Sequence, residues 1–276
     1  MRIRISHETT YRFERPPNLV TQTLRLTPRN HDSQYVVNWR IDVSDDCRLY
    51  PHEDAFGNLT HTFTAEGPIA ELAVGVEGLV ETQDTNGVIT GTVERFPPSL
   101  FLRDTLLTAP DAAITAFAEQ VRSAHGDGGT LKILHAMAKA VHRDMKFDVK
   151  PTEATTTAGE AFALKRGVCQ DLSHVFIACS RVLGVPSRYI GGYFFRTDGV
   201  TAQDAGHAWA ESYIEGLGWV AFDPTNGISA TDAHVRVAVG LDYLGAAPVR
   251  GTRIGGGGES LKVAITVDQA RQQMQT

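Results

Sequence analysis

The chain has 276 residues, of which 42% are hydrophobic and 21% charged, with a net charge of −6. That composition supplies a large core and length enough for two domains, and with no basic run longer than a pair it excludes the usual nucleic-acid-binding surface. Three cysteines without a CxxC pair argue against a disulfide scaffold or zinc knuckle, and no stretch nears the ~18 apolar residues of a membrane span.

The first hundred residues read as strands. Ile3, Ile5, His7, Thr9 and Tyr11 alternate with Arg2, Arg4, Ser6, Glu8 and Thr10. Leu24 and Leu26, then Leu59, His61 and Phe63, repeat the period of two that marks half-buried sheet. Turn signals fall at Arg15-Pro16-Pro17-Asn18, Phe56-Gly57-Asn58 and Thr85-Asn86-Gly87. Phe96-Pro97-Pro98-Ser99 closes this β region.

Helical spacing follows. Ile114, Phe117, Ala118 and Val121 define one helix, stopped by Gly126. Thr130 is the expected cap of a second, with Leu131, Leu134, Ala138, Val141 and Met145 as its apolar face. Thr157 and Glu160 form a T-x-x-E capping box for a third. The fourth is predicted over 169–183, with Gly184 and Pro186 as stop signals. Strands are predicted at 187–195, 206–214 and 219–222. After the connector Gly255-Gly256-Gly257-Gly258, Leu261, Val263, Ile265 and Val267 alternate as a last strand, whose pattern requires a sheet partner.

Cys169 stands where a loop enters the fourth helix. There its sulfur meets unpaired N–H groups and the positive end of the helix dipole, which favour a thiolate, and the same groups suit an oxyanion. Taken alone, a free cysteine is more simply a small buried hydrophobe. That is the reading for Cys179, ~15 Å further along the helix among Phe176, Ile177 and Val182, and the spacing forbids a disulfide between the two. Cys47 follows Asp45-Asp46, whose charge disfavours a thiolate.

A thiol nucleophile needs a base within reach and a group that orients the base. His207, in Gly206-His207-Ala208-Trp209, and Asp223 flank the turn signal Glu215-Gly216-Leu217-Gly218. Two antiparallel strands joined there would bring them side by side. His174 lies ~140° around the helix from Cys169 and is expected to brace the helix with Asp171. The histidines His52, His61, His135 and His142 make no ligand spacing with the cysteines, so neither metal nor cofactor is expected.

Three motifs resemble those of bacterial transglutaminase-like proteins: Gly167-Val168-Cys169-Gln170-Asp171-Leu172-Ser173-His174, Gly206-His207-Ala208-Trp209-Ala210-Glu211, and Gly218-Trp219-Val220-Ala221-Phe222-Asp223-Pro224-Thr225-Asn226. Asp54-Ala55-Phe56-Gly57-Asn58 is similar to the β domain that often precedes that core, and Gly240-Leu241-Asp242-Tyr243 and Pro248-Val249-Arg250-Gly251 to segments after it. Gly206 departs from the pattern, where serine is common.

The resemblance implies an α+β fold: an N-terminal antiparallel β domain (1–100), a papain- and transglutaminase-like core with a nucleophile helix packed on an antiparallel sheet (101–245), and a glycine-rich connector with a returning strand (246–276). It implies Cys169 as nucleophile, His207 as base and Asp223 as its orienter. The expected activity is a cysteine peptidase or amidase acting on a peptide or protein through a thioester. Amine transfer by a transglutaminase and a catalytically silent binding module are the alternatives. No tryptophan is placed like the oxyanion tryptophan of animal transglutaminases, and no acidic loop suggests calcium. The expected location is cytoplasmic, without nucleic-acid or membrane partners.

Overall fold

In a computed structural model, residues 1–150 and 152–270 are described. The N-terminal part runs β1 (Arg2–Phe13), β2 (Pro17–Thr27), β3 (Gln34–Val43), β4 (Tyr50–Glu53), β5 (Leu59–Glu66), β6 (Glu71–Thr82) and β7 (Val88–Ile89). Then come α1 (Ala112–His125), α2 (Gly129–Asp144), β8 (Lys146–Phe147), α3 (Ala158–Leu164), β9 (Arg166–Gly167) and α4 (Cys169–Val182). The chain continues with β10 (Ser187–Phe194), β11 (Ala202–Gln203), β12 (His207–Ile214), β13 (Gly218–Asp223), β14 (Ile228–Ser229), β15 (His234–Gly240), α5 (Tyr243–Ala246), β16 (Val249–Gly255) and β17 (Glu259–Gln269). The fold is α+β and its main sheets are antiparallel.

Two sheets make the β part, ordered β11-β17-β1-β6-β3 and β16-β2-β5-β4. Alternation along β1, β2 and β6 turns one face of each inward, and Val20, Leu24, Phe63, Leu72 and Val74 form the core between them. A third sheet has the order β14-β13-β12-β10-β15, with β7 on β13. Helix α4 lies against it through β12 and β10. Almost every residue of α4 is buried, its polar Asp171, His174 and Arg181 included, as in a central element rather than a surface one. Ile3, Ile5, Val80, Ile265 and Val267 of the first sheet share one apolar core with Phe176, Ala210 and Phe222.

Several local details differ from the sequence expectation. Helix α2 starts one residue before Thr130, after Gly128, and no side chain caps it. The chain arrives there through a short 3-10 turn at Gly126–Gly128, so the helix is entered by glycine freedom rather than by a threonine cap. Residues 249–255, expected within a connector, form β16 along the edge of β2. Val88 and Ile89, N-terminal to Pro97-Pro98, pair with β13 in the sheet ordered β14-β13-β12-β10-β15.

Other features follow the sequence. Thr157 and Glu160 form the reciprocal capping box of α3. β17 pairs along its length with β1, though only Ile265 and Val267 of its alternating face are buried and Leu261 is exposed. Gly184 ends the α4 region in the left-handed conformation that a glycine adopts without strain.

Candidate active site

Cys169 is the first residue of α4, and its half-buried sulfur lies 3.9 Å from the carbonyl oxygen of Gly206, just before β12. The loop into the helix is fixed by Asp171. Its Oδ2 accepts the Val168 N–H at 2.8 Å and the Thr152 hydroxyl at 2.7 Å, while the Gln170 amide donates to the Ala154 carbonyl at 3.2 Å. The N–H groups of Cys169 and Gln170, in the first turn, have no intrahelical acceptor. A Cβ at Gly206 would come within 3.0 Å of the Gly192 carbonyl, so the glycine is suited to its close quarters.

The turn after Ile214 pairs β12 with β13 in the register Ala210↔Phe222. That register sets His207 and Asp223 diagonally on the same face, with His207 Nε2 2.7 Å from Asp223 Oδ2. A carboxylate has no proton to give, so Nε2–H is the donor and Nδ1 is left for the thiol. Asp223 is fully buried yet amply solvated by the protein. Oδ1 accepts the N–H groups of Thr225 (2.9 Å) and Asn226 (3.1 Å), and Oδ2 also accepts the Asn226 amide at 2.6 Å. Burial opposes its charge, but His207 and, after it, His234 hold its pKa well below the ordinary carboxylate range. Burial likewise opposes an imidazolium at His207. The charge and hydrogen bond of Asp223, with hydrogen bonding and charge from Cys169, push its pKa up to about 10.

A residue that the sequence reading did not single out joins this cluster. His234, at the start of β15 and opposite Phe194 of β10, puts Nε2 3.1 Å from the same Asp223 Oδ2. Its Nδ1 accepts the Thr231 N–H at 3.1 Å. Nothing local in Asp232-Ala233-His234 marks a functional histidine; pairing between strands distant in sequence places it. The atoms of His207, Asp223 and His234 lie within 4.8 Å of one another, a spacing a metal ion could bridge. A Nδ1 that accepts an N–H leaves the proton of neutral His234 on Nε2, the atom a metal would need, so the donor set fits a hydrogen-bonded cluster better.

Elsewhere the residues separate. His174 is buried; its Nε2 accepts the Tyr243 N–H at 3.0 Å and its ring packs on Tyr189, so it braces α5 while Asp171 holds the loop into α4. Cys179 is buried, and burial pushes its thiol well above the usual range. Cys47 is also raised, by burial and then by Asp45 and Asp46. All three cysteines are free. Trp209 stacks on His207, Trp219 packs on Phe101, and Trp39 packs on Tyr193. A cleft of about 1240 Å³ is lined by residues such as Arg2, Gln34, Glu81 and Phe195, and shares none with the Cys169 cluster.

Residues 3–81 match the Bacterial transglutaminase-like N-terminal region, and residues 115–224, which hold Cys169, His207 and Asp223, match the Transglutaminase-like superfamily. Residues 115–224 belong to the transglutaminase-like superfamily. Its fold is similar to that of a candidate cysteine protease from Cytophaga hutchinsonii, with a TM-score of 0.77 over 99% of this chain and 92% of that one, at 19% identity. In sequence it is 28% identical to uncharacterized protein ML0607 of Mycobacterium leprae, over 96% of this chain and 98% of that protein. It is 26% identical to uncharacterized protein Rv2569c of Mycobacterium tuberculosis, over 91% and 87%. The transglutaminase-like assignment thus extends to both the β part and the core. Among the described residues no helix is long and apolar enough to cross a membrane.

Proposed function

We propose that this transglutaminase-like protein is a cysteine hydrolase that cleaves amide or peptide bonds in a peptide or protein substrate through a Cys169–His207–Asp223 triad. The observation that carries the reading is the 2.7 Å contact from His207 Nε2 to buried Asp223, which leaves Nδ1 to face a thiol at a helix N-terminus. In this mechanism Nδ1 takes the proton of Cys169, and the thiolate attacks the acyl carbon. The N–H groups of Cys169 and Gln170 receive the oxyanion. His207 then gives the proton to the leaving amine, so that an amine departs and a thioester remains on Cys169. Asp223 fixes the tautomer and stabilises the imidazolium. Water, deprotonated by His207, attacks the thioester and releases the acid and the free thiol.

Hydrolysis is favoured over amine transfer because water needs no dedicated acceptor site, whereas an amine does. Trp39 and Trp219 pack on Tyr193 and Phe101, while Trp209 is buried against His207 and His234. The cytoplasm remains the proposed setting. The test is to mix the protein with a peptide library, quench in acid and map the thioester by mass spectrometry. An acyl adduct on Cys169 that disappears in Cys169→Ala supports the reading; adducts that persist in that variant refute it.

A further inference from the structure

Resting on the triad reading, we propose that His234 is a fourth, positioning member of the site: an imidazole whose Nε2–H draws charge from Asp223 and thereby sets how acidic His207 is. His207 and His234 both reach Oδ2 of Asp223, at 2.7 and 3.1 Å. Two hydrogen bonds to one oxygen compete, because each donor reduces the negative charge available to the other. The proton assignment is forced from the other side of the ring. The Thr231 N–H can only donate, so Nδ1 carries a lone pair and Nε2 carries the hydrogen.

The surroundings keep the ring neutral and upright. His234 is buried between Phe194 (centroids 4.7 Å apart) and Trp209 (5.2 Å, edge to face). Burial, which outweighs the pull of Asp223, lowers its pKa. The charged and titratable groups around it are Asp223 on β13, His207 and Glu211 on β12, Arg236 on its own strand, and His31 of the β part. Glu211 is neutralised by Arg188 and Arg236, and burial and then Arg236 hold His31 near pKa 4. Asp223 is therefore the charge that matters to His234.

The role has a chemical purpose. Asp223 without a competing donor would hold the imidazolium of His207 more tightly and make it a poorer acid toward a leaving amine. The remaining donors from Thr225 and Asn226 keep Asp223 in place when His234 is lost, so the effect is on acidity rather than on position.

The test is the ring titration of His207, followed by NMR in the full chain, for wild type, His234→Phe and His234→Gln. The expected result is that His234→Phe raises the His207 pKa by about half a unit or more, the effect of removing one hydrogen bond to a charged acceptor. His234→Gln, whose amide N–H can reach the same oxygen, should restore the wild-type value. Equal shifts in both variants, or no shift in His234→Phe, would overturn the proposal. If His234→Phe fails to fold, the nitrogen shifts of His234 in the wild type decide: a hydrogen fixed on Nε2 from about pH 5 to 9 supports it, and an imidazolium or a hydrogen on Nδ1 refutes it. This readout does not require an active thiol. An inert Cys169 would sink the hydrolase reading while the His207 titration still judges His234.

Discussion

Asp223 is charged although no water reaches it, because five protein donors replace the hydration that burial removes. A substitution there should therefore act on chemistry before it acts on folding. Asp223→Asn keeps the shape but cannot fix the same imidazole tautomer. It should slow Cys169 acylation by about 10²-fold or more with an unchanged circular dichroism spectrum, and His207→Ala should do the same by removing the base. His174→Ala, one turn deeper in α4, should lower stability while the native protein still reacts. If His174→Ala abolished acylation and His207→Ala did not, the assignment of the base would be wrong.

The cysteines offer a second comparison. Iodoacetamide should label half-buried Cys169 in the native protein and leave buried Cys179 until unfolding, as followed by peptide mapping; equal native rates would count against an activated Cys169. The nearness of His207 and Asp223 was legible because a turn signal joins the two strands that carry them. His234 was not, since its partner is chosen by the pairing of β15 with β10.

At the scale of elements, residues that carry their own punctuation were the most readable. α3 announces itself through the Thr157–Glu160 box, and α4 through the glycine after it. β7 and β16 are short or edge strands whose pairing partners lie far off in sequence, and nothing in Val88-Ile89 alone distinguishes them from a loop. β17 is the element on which the joining of the two parts most depends. Its Ile265 and Val267 reach a core shared with Phe176 and Phe222. Ile265→Ala should cost about 2–4 kcal/mol, the loss of a fully buried side chain plus the cavity left behind, whereas Leu261→Ala, at an exposed position of the same strand, should cost less than about 0.5 kcal/mol. Urea melts of the two variants would check this, and equal losses would mean that β17 is peripheral.

For the whole molecule, the buried histidines set the response to pH. Burial holds His7, His31 and His174 near pKa 4, below their ordinary 6.5, so the unfolded chain binds protons more readily in that interval. Their contribution is complete above about 6.5 and is lost as pH falls toward about 4. Glu211 adds a lower window. Burial opposes its charge, but Arg236 and Arg188 bring it down to about 2, so its stabilisation is present above about 4.5 and disappears as pH falls through about 2. His207 has the opposite sign: its raised pKa stabilises the fold below about 6.5, and that term is lost as pH climbs through about 10. Thermal melts should therefore peak near pH 6.5–7.5 and fall on either side, by more than 5 °C at about pH 5. A melting temperature flat from pH 5 to 9 would contradict the placement of these groups.

The change from strand period in the β part to helix period in the core was legible near Pro97-Pro98. Their fusion through one apolar core was not, because a sequence pattern shows which faces are apolar but not which face meets which. That fusion places the β part against the sheet that carries His207, Asp223 and His234, through contacts such as the Gln34 amide on the Arg236 carbonyl and His7 on the Tyr193 hydroxyl. The central claim remains chemical: a thioester on Cys169 that water resolves. Its most direct measurement is the partition of products when wild type and Cys169→Ala are incubated with glutamine-containing and other peptides and a labelled primary amine, with free acid and amine adduct followed by mass spectrometry. The account predicts Cys169-dependent free acid in excess of adduct at millimolar amine; Cys169-dependent adduct in excess of acid, or no product of either kind from any peptide, would contradict it.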